Sequence, residues 1–139
     1  MNYIYLLKIK IVLLSIVFLA LSSCAIQSYE MKEFDKSYRL YEKAIRWQDY
    51  DLMLGFHKNA TEKELSVSRR KKLKQFRVSG YHILFTTIEP DEQSGTQVVE
   101  VTYYNKDYNV VREMTITNKW EWDEKQERWE LANPFPEFR

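Results

Sequence analysis

The fold class this sequence predicts is α+β, with helices first and an antiparallel sheet after them. Three observations predict it. Apolar residues recur at helical spacing after the leader, the period changes to two near Lys74, and turn clusters then divide the rest into four alternating segments. Helices followed by a run of strands form two layers around one core. The expected architecture is N-terminal helices packed on a four-stranded antiparallel meander sheet.

The first helix is marked by Met31, Phe34, Tyr38, Tyr41 and Ile45, spaced 3, 4, 3 and 4 apart along one face. Lys32, Lys36, Arg39, Lys43 and Arg46 fall on the opposite face. Asp49 reads as the N-cap of a shorter second helix containing Leu52, Met53 and Phe56. Thr61-Glu62-Lys63-Glu64 reads as a capping box opening a third helix. That helix ends in Arg69-Arg70-Lys71-Lys72, where positive charge complements the helix dipole.

Four strands follow. Phe76 to Ile88 forms a long first strand with Gly80 as a bulge, closed by Pro90-Asp91 and a turn at Ser94-Gly95. Val99, Val101 and Tyr103 share a face of the second strand, and Asn105 to Asn109 turn the chain. Val110, Met114, Ile116, Trp120 and Trp122 share a face of the third, opposite Thr115, Thr117, Lys119 and Glu121. Asp123 to Glu127 turn again, and Trp129 and Leu131 close the sheet. Such alternation describes strands with one face buried and one wet.

The leader has the parts of an export signal. Lys8 and Lys10 form a positive segment, Ile11 to Leu21 an apolar one, and Ser22 and Ser23 are the small residues a cleavage site needs. The uncharged run of 11 residues would span about 16 Å as a helix, half of a bilayer's hydrocarbon core. Leu21-Ser22-Ser23-Cys24 resembles the lipobox of bacterial lipoproteins, and Cys24 is the only cysteine. The resemblance implies cleavage before Cys24 and lipid attachment to its thiol, and two or more acyl chains anchor a protein stably. Ala25 after the cysteine, by resemblance to Gram-negative lipoproteins, favours the periplasmic face of the outer membrane. The expected organisation is a signal peptide over 1–23, a lipidated cysteine and short tether over 24–30, and one globular domain over 31–139.

Cleavage would leave 19 basic against 20 acidic residues, a balance that gives no support for nucleic acid as a partner. Gly and Pro are scarce at three each, which argues against disordered linkers. His57 and His82 are the only histidines, with no metal-ligand spacing, so neither a metal nor a cofactor is expected. His57 reads as a charge near a helix C-terminus. No phosphate loop or nucleophile elbow is present.

The order of elements, the aromatic first helix, the Trp47-Gln48-Asp49-Tyr50-Asp51 junction and the Trp-x-Trp hairpin resemble the NTF2-like superfamily across residues 30 to 132. That resemblance implies a sheet wrapped round the first helix, often leaving an apolar cavity. Some relatives are enzymes and many are binding or assembly modules; no catalytic residue carries over to a matching position here.

Arg112 and Asn118 fall in phase with the apolar face of the third strand, so with Trp120 and Trp122 they are the candidate ligand-binding residues. The bland alternatives are a rim position for the polar pair and plain core for the tryptophans. The basic run from Arg69 to Lys74 could meet anionic lipid or an acidic partner, or simply be a solvated helix end. In the tail, Phe135 and Phe138 need cover from core or partner. The expected function is a non-enzymatic, membrane-anchored module that contacts another envelope protein. The alternative is a carrier or sensor of a small apolar ligand.

Overall fold

The computed structural model describes residues 28–60 and 66–139. The leader, Cys24 and the Thr61–Glu64 capping box lie outside the described residues. Three helices, α1 (Tyr29–Trp47), α2 (Tyr50–Phe56) and α3 (Val67–Leu73), precede four strands. These are β1 (Phe76–Ile88), β2 (Ser94–Asn105), β3 (Val111–Asp123) and β4 (Arg128–Leu131), antiparallel neighbours in chain order.

Each helix starts at a side-chain cap. Ser28 accepts from Met31 N, Asp49 from Leu52 N and Ser66 from Arg69 N, which satisfies donors with no partner inside the helix. The cap of α3 as described is therefore Ser66, two residues beyond the expected box. The helix α1 packs against β1 and β4 and buries Phe34, Tyr41, Ala44 and Ile45. Its basic side chains Lys32, Lys36, Arg39, Lys43 and Arg46 are exposed, as the periodicity requires.

The predicted alternation holds along β2 and in the second half of β3, whereas Val110, expected on the buried face of the third strand, lies outside β3 and is exposed. Gln97, Val99, Val101 and Tyr103 of β2, and Asn118 and Trp120 of β3, are buried on the face beneath α1. Register shifts interrupt β1 between Val78 and Gly80 and between Ile83 and Phe85, so Gly80 does sit at a bulge. From His82 to Thr87, β1 is exposed on both faces.

One turn differs from expectation. Ser94 and Gly95 belong to β2, paired with Glu121 and Trp120 of β3, and the chain reverses over Glu89–Gln93. Gly95 is needed for close packing instead: a Cβ there would lie 2.7 Å from the Ile88 side chain and 2.9 Å from the Thr87 carbonyl. The reversal uses Glu92 at φ 56, and the other two hairpins use Asn109 at φ 50 and Glu127 at φ 49.

The tail is part of the core. Phe135 and Phe138 are 3% and 5% exposed, the latter against Phe76 and Tyr103. The mild support that this segment lent to a partner-contacting role is thereby removed.

Candidate functional site

Beneath α1 lies a buried polar network. Tyr41 reaches from α1 to His57, the C-cap of α2, with its hydroxyl 3.0 Å from Nε2. His57 Nδ1 lies 2.8 Å from the carbonyl of Asn133. A carbonyl only accepts, so Nδ1 carries the proton of that bond, and Tyr41 lies against the other ring nitrogen. His57 is thus at the helix C-terminus its position in the sequence suggested, and it is buried there. Burial pushes the Tyr41 phenol far above the usual tyrosine range, and the neighbouring Tyr81 adds to this. Burial also raises Tyr81, with the Glu42 charge contributing and the hydrogen bond from Asn118 opposing.

Asn118 donates to the Tyr81 hydroxyl at 3.4 Å, and Gln97, its register partner, donates to Thr86 Oγ1 at 3.3 Å. Beyond those contacts, Gln97 Oε1, Asn118 Oδ1 and Trp120 Nε1 are buried without a hydrogen-bond partner among the described residues. Turning either amide exchanges which end is left over without removing the deficit. The tertiary structure therefore concentrates unmet hydrogen-bonding capacity on one patch of the inner face.

The four candidate ligand residues separate. Asn118 and Trp120 are 0% and 1% exposed, Trp122 is half-buried between Tyr29 and Trp129, and Arg112 is exposed. Ten residues of β3 separate Arg112 from Trp122, about 33 Å, too far for one pocket. Trp120 meets Phe34, Tyr41 and Phe56 edge-on, an aromatic core contact. Asn118 is a core residue, which excludes the rim position that was the bland alternative for it. The sequence reading placed Tyr41 on the buried face of α1 and His57 at a helix end without joining them, and it missed Tyr81 and Gln97, although Gln97 is in phase with Val99 and Val101.

The two ends of the sheet differ in charge. At one end, the β1–β2 and β3–β4 turns meet through Gln93 and Glu124, and the start of α1 joins them by Tyr29 on Trp122. Residues 89–93 and 121–130 there hold eight carboxylates and two basic side chains. At the other end, Lys106 N donates to Gln75 O, joining the β2–β3 hairpin to the end of α3. Six of the nine residues from Arg69 to Arg77 there are basic and none is acidic. Arg70 is engaged bidentately by Asp51, and Arg69 stacks over Phe135. Lys71, Lys72 and Lys74 are exposed, with no ion pair among the described residues. A groove of about 530 Å³ opens between α3 and the tail, lined by Arg69, Lys72, Leu73, Pro136, Phe138 and Arg139 among others.

Among the described residues, no group of His, Cys, Asp or Glu is arranged to hold a metal ion, and no helix is long and apolar enough to cross a membrane. No family model matches this chain, and no curated protein matches it in sequence. A solved structure with a similar fold is a SEC-C motif containing protein from Psychrobacter arcticus, at TM-score 0.56 and 9% identity. The match covers 82% of this chain and 66% of that one, so the likeness concerns the fold.

Proposed function

We propose that this chain is a membrane-anchored, non-enzymatic interaction module of the bacterial envelope, built as an NTF2-like cone and held through Cys24. The observation that carries this is the charge polarity about the anchor. Cys24 stands four residues before the α1 cap Ser28, a reach of about 14 Å at most. The acidic end of the sheet is therefore the end nearest the lipid. Anionic headgroups repel it, and the basic end is directed away from the bilayer. Closed burial of Tyr41, His57 and Tyr81 supports a structural role for the one network that could otherwise supply acid–base chemistry. The placement on the periplasmic face of the outer membrane rests on Ala25 after the lipobox.

Cell fractionation of Cys24→Ser tests the anchor: the wild-type chain should sediment with membranes and the variant should not. Photo-crosslinkers at Lys71 and Glu124 test the polarity. Protein adducts formed preferentially from Lys71 support the module, and adducts from neither position oppose it.

A second reading, a carrier of a small ligand, is favoured by the unmatched polar atoms of Gln97, Asn118 and Trp120. Native mass spectrometry of the gently purified protein would show a reproducible adduct under that reading and the bare mass otherwise.

A further inference from the structure

We infer that the groove between α3 and the tail is a docking site for an acidic polypeptide segment carrying an apolar side chain. This inference rests on the tethered-module reading and specifies its partner. The groove's floor is apolar: Leu73 is 4% exposed, Phe138 is 5% exposed, and Pro136 is buried beside them. Its rim is cationic, with Arg69 and Lys72 on the α3 wall and Arg139 on the tail wall. Among the described residues Glu137 is the one carboxylate in the lining, and Arg139 pairs with it at 3.2 Å. Arg69 is held over the Phe135 ring at 5.5 Å, which fixes one rim charge in place. Lys71 and Lys74 extend the positive field along the same short helix end. An apolar floor beneath a basic rim complements a chain segment in which an apolar residue is flanked by carboxylates.

Geometry favours a polypeptide over the other anionic partners. The lipid of the home membrane is at the wrong end, because the 19 residues of α1 put about 28 Å between its start and the α3 region. Tyr50, three residues beyond α1, donates to Leu73 O and so fixes α3 at that far end. A second copy offers an acidic pole, but copies anchored in one leaflet hold that pole beside their own lipids.

The test uses the full chain in detergent micelles and a fluorescein-labelled peptide of alternating glutamate and phenylalanine. Fluorescence anisotropy is read at low and high salt, with a lysine–phenylalanine peptide as the sign control. The acidic peptide should bind, weaken as salt rises, and lose about fivefold in affinity in Lys72→Glu, whereas Lys125→Glu at the other end changes nothing. Lys72 has no ion pair among the described residues, so this variant keeps the fold. Equal binding by Lys72→Glu, or equal binding of both peptides, overturns the inference. So does displacement of the peptide by vesicles of anionic lipid, or by self-association of the chain. If the peptide fails while Lys71 still crosslinks to an envelope protein, the groove is wrong and the tethered module stands. Failure of both removes the module reading as well.

Discussion

Truncating the chain after Asn133 should unfold it, although the lost segment contains no helix or strand. Phe138 stacks at 6.1 Å on Phe76 and meets Tyr103 edge-on at 5.2 Å. Phe135 lies 5.4 Å from the His57 ring and beneath Arg69. Transfer of a phenylalanine side chain from water is worth about 1.5–3 kcal/mol, and a buried Phe→Ala costs about 3–5 kcal/mol once the cavity is included. A terminal strap can settle into the hole it leaves, so Phe138→Ala and Phe135→Ala should each cost about 3 kcal/mol. Truncation removes both rings together with the Tyr103 hydroxyl's bond to Arg139 O at 3.2 Å. That loss, about 6 kcal/mol, is comparable to the whole stability of a typical domain, about 5–15 kcal/mol. Urea titrations followed by tryptophan fluorescence measure the point variants, with the slope m expected to stay constant. A loss below about 1 kcal/mol for Phe138→Ala, or an unchanged melting temperature on truncation, would refute the packing argument and return the tail to the role of a free docking segment.

Three further outcomes follow from the buried network. Tyr41→Phe removes the 3.0 Å bond between the phenol and His57 Nε2 and should cost about 1–2 kcal/mol in urea titration; a neutral result would contradict that bond. Asn118→Leu removes a buried amide with an end unmet among the described residues but also the bond to the Tyr81 hydroxyl, and should cost about 1 kcal/mol, whereas a loss above about 2 kcal/mol would show that the amide is fully bonded in solution. Stability should fall as pH rises above about 10, where unfolded tyrosines ionise. Tyr50 resists until about 12, and Tyr41 and Tyr81 beyond that. The folded pKa values are raised, so this stability is complete below pH 10 and is lost through the folded values. For the two most buried phenols the slope is about 1.4 kcal/mol per pH unit each. A stability that stays level between pH 10 and 12, followed by circular dichroism, would contradict the burial of these phenols.

Much of the fold was legible because its periods are local. The face containing Val99, Val101 and Tyr103 needs only the two-residue alternation of a strand. The caps at Asp49 and the face of α1 likewise depend on residues within one or two turns. Ser94-Gly95 misled because the pair has turn chemistry, and its real role, close contact with Ile88, involves a neighbouring strand. The burial of His57 was not legible for the same kind of reason: its partners Tyr41 and Asn133 are 16 and 76 residues away. The candidate set on β3 was in correct phase, yet phase says nothing about distance along a strand or about what covers it.

The sequence by itself determined the order of elements and the buried faces of α1 and β2. These depend on backbone periods and short motifs that any local window contains. Only the tertiary structure decided that the tail is core, that Asn118 and Gln97 are buried with unmet ends, and that the acidic and basic segments occupy opposite ends of one sheet. Each of those facts depends on which distant segments the hydrophobic core brings together, and no local period in the chain encodes that pairing.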